Sequence, residues 1–336
     1  MTIRDVAKRS GVSIATVSRV LNGNANVSDA IKLAVENAIE ELNYQKPEKK
    51  RKKATKLFAV IVRNITNPFF AQMIDVLEEE AYKHGRSLLL FNSRNNLQLE
   101  RTFLAECENH NVDGVFLIPR SLKSEHLSTL QDFPFPVVLL TATSPLVSGV
   151  GTHHKYGGML AAKHLLQQGH RRIGYIGTDT QQSDRFIGFK QTLKNKNTEL
   201  SEPRVLSPYT TETLANFVEQ QILTHESPLS AIFCSDDICA SQLFILLQQH
   251  EKTSAVEIIG FDDTFISQSL GFSSIKQPIK QIALIGFDIM INTLNSEQTN
   301  AETILLEPTL MLRRLPSSPT IARETEILRS TGLGAP

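Results

Sequence analysis

Apolar positions in the first 44 residues recur at helical spacing in three short bursts. Ile3, Val6 and Ala7 make the first; Gly11-Val12-Ser13 interrupts it; Val17, Val20 and Leu21 resume on a second. After the turn-rich stretch 22–26, Ile31, Val35, Ala38 and Leu42 mark the buried stripe of a third. Gly11 supplies the positive φ that lets the first two helices cross steeply, and Ser13 and Ser28 stand where N-caps belong. With Val17, Val20 and Leu21 turned inward, the second helix presents Ile14, Ala15, Ser18, Arg19 and Asn22 outward. Such a short, polar, nearly uncharged face ending in one arginine suits the DNA major groove, where small side chains let the backbone approach base edges and arginine donates two bonds to guanine. An ordinary helical hairpin with a solvated face fits the same periodicity.

Residues 45–56, QKPEKKRKKATK, carry no apolar side chain larger than alanine apart from the ring of Pro47. They read as a linker, either a solvated tether or a basic strap in which Lys49, Lys50, Arg51 and Lys52 lie on phosphates. From Leu57 the texture changes. Apolar runs at 57–62, 87–91, 112–118 and 136–140 alternate with helical patterns at 69–84, 98–110 and 155–168. Runs at 171–177, 204–207, 230–235 and 256–261 repeat the alternation with helices near 184–195, 211–224 and 237–249. Strands apolar on both faces, alternating with helices, imply parallel sheets covered on both sides. Two sets of about four units imply two similar subdomains. Residues 302–314 return to extended character, and 316–336 read as a loose tail without a leucine heptad. The expected division is therefore a 1–44 headpiece, a 45–56 linker, a large 57–315 region and a 316–336 tail.

Charge sharpens this division. The 336-residue chain has no net charge, yet residues 1–56 hold 12 Lys/Arg against 6 Asp/Glu and the remainder 23 against 29. A basic head on an acidic body points to a nucleic-acid partner at one end. Cys107, Cys234 and Cys239 are odd in number and lack the spacing of a zinc site, so they read as free thiols of a cytoplasmic protein. No apolar run approaches the ~18 residues of a membrane span, so no membrane partner is expected. No Gly-x-Ser-x-Gly, phosphate-binding Gly-rich Lys-Ser/Thr loop or His-Glu-x-x-His occurs, so the reading is not an enzyme and needs no cofactor.

Ligands of open parallel α/β sheets bind beyond the carboxyl ends of the strands. The residues just past each run are Phe69 and Phe70, Thr141, Arg185, Tyr209, Asp236 and Asp262. Aromatic rings, one arginine and two carboxylates on one rim suit a small molecule with hydroxyl groups. Each also has an ordinary role: Asp236 or Asp262 as N-caps, Arg185 as a surface ion-pair partner, Phe69 or Phe70 as core. The adjacent His153 and His154 lack the third ligand and i, i+4 spacing of most zinc sites, so no metal is expected.

The N-terminal run DVAxxxGVSxxTVSRVLN resembles the helix-turn-helix of the lactose-repressor/galactose-repressor (LacI/GalR) family almost position for position. NPFFAQM, GHRRIGYIG, RFIGF, AIFCSDD, IIGFDD and SSIKQP look like successive landmarks of that family's effector domain. The resemblance implies an all-α helix-turn-helix headpiece followed by an α/β periplasmic-binding-protein type I-like domain with two doubly wound parallel-sheet subdomains. It further implies a cytoplasmic, ligand-responsive transcription regulator, a repressor of carbohydrate-utilisation genes that binds a pseudo-palindromic operator in double-stranded DNA as a homodimer. A nucleoside-responsive regulator, an activator, and a binding protein without a regulatory role stay open as alternatives. The resemblance implies that Thr2, Ser13, Ile14, Ala15, Thr16, Ser18, Arg19, Asn22 and Ser28 face DNA; carried over by position, Phe69, Phe70, Arg185, Tyr209, Asp236 and Asp262 face a small-molecule effector, a sugar or sugar derivative, with Thr141 beside them. Three departures give this chain an effector of its own: Thr141 where the family usually has aspartate, His153-His154 in place of Asp-Asn, and Asp236-Asp237 in place of Asn-Asp. The linker also departs, with Pro47 shifted and no Ala-Arg-x-Leu, so the family's leucine wedge has no counterpart.

Overall fold

A computed structural model describes residues 3–21, 27–42, 44, 54–180, 183–296 and 301–313. Thr2, Asn22, Lys49, Lys50, Arg51, Lys52 and the 316–336 tail lie outside the described residues, as do the side chains of Ala15, Ser18 and Arg19. The chain divides into two units, Met1–Ala54 and Thr55–Pro336.

The first unit holds α1 (Ile3–Ser10), α2 (Ile14–Leu21) and α3 (Asp29–Glu41). Gly11 has φ +70°, which turns the chain between α1 and α2. Val6, Val17 and Val35 are fully buried, Ala38 nearly so, and Tyr44 closes the same core beyond α3. Ser13 caps α2 by accepting from Thr16 N at 3.1 Å. Ser28 occupies the N-cap of α3 but makes no side-chain cap bond; its carbonyl accepts from Lys32 N at 3.0 Å instead.

The second unit begins with β1 (Leu57–Val62), α4 (Pro68–Lys83), β2 (Ser87–Asn92), α5 (Leu97–Asn109), β3 (Gly114–Leu117), α6 (Ser124–Thr129), β4 (Val137–Thr141) and β5 (Gly149–Thr152). It continues with α7 (His154–Gln167), β6 (Ile173–Ile176), α8 (Asp184–Lys194), β7 (Val205–Leu206), α9 (Thr211–Val218), β8 (Ala231–Cys234), α10 (Asp237–Gln249), β9 (Glu257–Asp262), α11 (Phe265–Leu270) and β10 (Ser273–Lys276). The last elements are α12 (Ile279–Asn295), β11 (Thr303–Leu306) and β12 (Thr309–Met311). One sheet runs β11-β5-β4-β3-β1-β2, all parallel; the other runs β12-β10-β9-β8-β6-β7, parallel except for the β10–β12 pair. Alternation along β1 sends Phe58, Val60 and Val62 into one apolar cluster and Ala59 and Ile61 into another, so helices cover both faces. On the second sheet Ile232 and Cys234 face one cluster, Ala231 and Phe233 the opposite one.

Among the described residues each sheet has six strands, where the alternation of the sequence implies about four. Strand β5 is Gly-Val-Gly-Thr and β10 is Ser-Ser-Ile-Lys, neither of which carries the apolar run that identifies the others. Gly149 is required there, because a Cβ would meet the carbonyl oxygen of Ala142 at 2.8 Å. Helix α12, missing from the sequence reading, is apolar over most of its 17 residues and fills the core beside β1, β3 and β4. Strand β2 lies at a sheet edge and has no fully buried residue, unlike the two-sided burial expected of it. The chain passes between the subdomains three times: from β5 to α7, from β10 to α12, and from β11 to β12. These crossings set the two sheets' carboxyl ends opposite each other.

Candidate effector cleft and nucleic-acid interface

Between the subdomains lies a cleft of about 1160 Å³, lined by the ends of β1, β3, β4, β6, β8 and β9 and the starts of α4, α5, α7 and α8. Six of the seven rim residues from the sequence meet there: Phe69, Phe70, Thr141, Arg185, Asp236 and Asp262. Tyr209 does not line it. Following a two-residue edge strand, its ring packs on the apolar cluster formed by α9 and α10. Phe69 and Phe70 are almost fully buried, with ring centroids 5.3 Å apart edge to face, so only their margins reach the cleft.

Arg185, in the first turn of α8, is the hub. Its Nε donates to His154 Nδ1 at 3.2 Å, its Nη1 donates to the Ser235 carbonyl, and its Nη2 lies 3.6 Å from Asp262 Oδ1. The guanidinium also sits 3.7 Å over the ring of Phe261. His154 starts α7 at the first crossing, and burial together with the Arg185 charge holds its pKa well below the ordinary histidine value. It is therefore neutral, with Nδ1 as the acceptor. Asp262 is 4% exposed, and burial pushes its carboxyl up to about 8 although Arg185 works in the opposite direction. Gln277 Nε2 donates to Asp262 Oδ1 at 2.6 Å from the second crossing, while Gln277 Oε1 is buried without a partner among the described residues. Thr141, Asp262 and Asp263 have φ of +66°, +110° and +57°, so the backbone on both walls is held in conformations costly for non-glycine residues.

Both aspartates after β8 have structural duties. Asp236 caps α10 through Cys239 N at 2.8 Å and still lines the cleft, so its two readings coexist. Asp237 is buried and accepts from Ser274 Oγ, Thr264 N and Thr264 Oγ1 at 2.6, 2.7 and 2.9 Å, which ties α10 to the loop after β9. Burial raises its carboxyl to about 6. His153 caps α7, its Nδ1 accepting from Tyr156 N at 3.3 Å. Among the described residues no group of three or more His, Cys, Asp or Glu is placed to hold a metal ion.

The sequence reading missed Arg63, Arg120 and Lys123, all on the wall of the first subdomain. Arg63 directly follows β1, and the rule used for the other strands would have found it. Arg120 lies in the loop after β3, which is set by buried Glu100: Oε2 accepts from Arg120 N at 2.8 Å and Oε1 pairs with His126 Nε2 at 2.7 Å.

In the first unit, Ile14 is 45% exposed at the start of α2, and the Ser13 and Thr16 hydroxyls bond each other at 2.8 Å. Val17 is turned fully inward, as the periodicity requires. Of the residues expected at DNA, Ser13, Ile14, Thr16 and Ser28 have described side chains; the helical backbone carries Ala15, Ser18 and Arg19.

Residues 2–47 match the family described as bacterial regulatory proteins, lacI family, and residues 55–304 match periplasmic binding proteins and sugar binding domain of LacI family. The chain is 30% identical over 328 residues to the HTH-type transcriptional repressor PurR of Edwardsiella ictaluri, covering 93% of this chain and 96% of that one. It is likewise 30% identical over 331 residues to the HTH-type transcriptional regulator GalR of Salmonella typhimurium, covering 95% and 97%. A periplasmic binding protein/LacI transcriptional regulator from Alkaliphilus metalliredigens, solved with D-xylulofuranose, superposes with a TM-score of 0.66 at 27% identity, covering 79% of this chain and 100% of that one. Among the described residues no helix is long and apolar enough to cross a membrane. The chain belongs to the lacI family of bacterial regulatory proteins and is a ligand-responsive, DNA-binding transcription regulator, not an enzyme.

Proposed function

We propose that this regulator is a cytoplasmic repressor of carbohydrate-utilisation genes, which binds a pseudo-palindromic operator as a homodimer and changes its affinity when a sugar derivative fills the cleft. The headpiece spans 1–44, the basic linker 45–56, and the effector and dimerisation region 57–315. The observation that carries the reading is the Arg185–His154–Asp262 cluster, which gathers one residue from a crossing and one from the end of a strand around a guanidinium facing the cleft. Phe69, Phe70, Thr141 and Asp236 complete the effector site, with Tyr209 acting behind the wall. A ligand that bonds both walls favours the closed arrangement, and a differential affinity worth only ~1–3 kcal/mol between states changes operator occupancy about 5- to 150-fold.

On DNA, the contacts come from Thr2, Ser13, Ile14, Ala15, Thr16, Ser18, Arg19, Asn22 and Ser28, with α2 in the major groove. One headpiece covers few base pairs; two on one dimer gain affinity by effective concentration and match half-sites about one helical turn apart. Selection from random-sequence DNA tests this directly. The recovered sites should be pseudo-palindromic, and Arg19→Ala should lose about 1–3 kcal/mol on them while sparing scrambled DNA. Asymmetric sites, or equal loss on both DNAs, would defeat the reading of α2 as the base-reading helix.

A further inference from the structure

The charges lining the cleft are segregated by wall. On the first subdomain the charged lining residues are Arg63, Arg120 and Lys123, with no carboxylate among the described ones. Across from them Asp179, Asp184, Asp236 and Asp262 accompany the single cation Arg185. None of Arg63, Arg120 and Lys123 lies within ion-pair distance of a carboxylate among the described residues, whereas Arg185 Nη2 lies 3.6 Å from Asp262 Oδ1. Glu100, buried behind the first wall, is committed to His126 and to the backbone of Arg120.

Arg63 is the sharpest feature. Its guanidinium is held over the ring of Phe70 at 5.7 Å, and its Nε is buried with no acceptor among the described residues. Burial, then the charges of Arg185 and Arg120, lower its pKa, with Asp262 and Glu100 pulling the other way. A donor left unmatched in a low-dielectric wall costs free energy that an oxyanion would return. The starts of α4 and α5 open on the same wall, with their positive dipole ends toward the cleft.

We propose that the effector is a phosphorylated sugar, its phosphate held by Arg63 and Arg120 on the first wall and its hydroxyls by Asp236, Asp262 and Gln277 on the second. This rests on the reading of the cleft as the effector site. A phosphate monoester offers three oxygens and close to two charges, enough to engage two guanidiniums at once; a carboxylate offers two oxygens and one charge. Asp184 and Asp236 on the opposite wall disfavour phosphate there and accept from hydroxyls, so the ligand has one orientation. A bound phosphate oxygen then gives the buried Arg63 Nε the acceptor it lacks among the described residues.

Calorimetric titration of the full chain with inorganic phosphate, hexose and pentose monophosphates, their parent sugars and the matching sugar acids tests this. Phosphate should bind weakly, and a monophosphate should bind at least about tenfold tighter than its parent sugar or sugar acid. Arg63→Gln and Arg120→Gln should each weaken the monophosphate roughly 10- to 100-fold, with Arg63→Lys intermediate. Arg120 is exposed, so its variant serves if Arg63→Gln fails to fold. The proposal is overturned if no phosphate-bearing probe binds, or if parent sugars bind equally well and the arginine variants change nothing. In the latter case loss of binding in Asp236→Ala would leave the cleft reading standing. Ligand binding that ignores substitutions on both walls would remove the cleft reading as well.

Discussion

Asp262 is the residue whose ionisation the fold changes in the most useful way. Burial raises its carboxyl to about 8, far above the ~3.9 of an unfolded aspartate, so the folded chain keeps a proton that the unfolded chain releases. The resulting stability is fully present below about pH 4 and is lost as pH climbs toward 8. Asp237, raised to about 6, loses its share in the same direction over a narrower window. His154 works the other way: its folded pKa lies below the unfolded value, so its contribution is present above about pH 6.5 and fades as pH falls. Substituting Asp262→Asn keeps the shape and removes only the first effect. In thermal melts of the ligand-free protein, the variant should gain on the parent steadily between about pH 5 and 8. A constant difference across that range would mean that Asp262 is ionised throughout.

At the scale of elements, the contact between α7 and α8 decides where the hub of the cleft sits. An ideal Cβ at Gly158 would fall inside the Arg185 carbonyl oxygen, and one at Gly188 inside the Lys155 carbonyl oxygen. Both obstacles are backbone, so no side-chain rotation relieves them. The helices therefore touch main chain to main chain, with His154 at the head of one and Arg185 at the head of the other. Gly188→Ala must separate them, at a cost of roughly 1–3 kcal/mol or more, and must lengthen the 3.2 Å Arg185–His154 bond. Urea unfolding should show an earlier midpoint and ligand titration a weaker affinity. An unchanged midpoint with unchanged affinity would show that the contact has slack.

At the scale of the whole molecule, charge is divided between a basic N-terminal stretch and an acidic remainder. Each phosphate neutralised steepens the salt dependence of DNA binding by roughly 0.9 in log–log slope. Replacing Lys49, Lys50, Arg51 and Lys52 together with glutamine should flatten the slope by up to about 4 per chain and leave base preference nearly unchanged, as read by titrations at several salt concentrations. A slope that does not move would make the linker a passive tether. Without an apolar wedge, residues 46–56 should also bend the operator little, which circularly permuted DNA fragments would reveal.

What the sequence determined by itself is whatever depends on neighbours along the chain. The headpiece was legible because Val6, Val17, Val35 and Ala38 sit at helical spacing around a turn that favours glycine, and all four are buried. Strand–helix alternation was legible for the same reason, except at β5, where glycines permit close approach, and at β10, whose serines bond Asp237 and Arg313. The end-of-strand rule brought six residues to the cleft but misjudged Tyr209, because a rim position does not say which way a ring at a sheet edge will turn. It also passed over Arg63, whose meaning depends on Arg120, Arg185 and an absent carboxylate, all distant in sequence. Only the tertiary structure decided that grouping. Parallel sheets pair strands out of chain order, and three crossings set two such sheets face to face, so the charges that meet across the cleft share no local pattern.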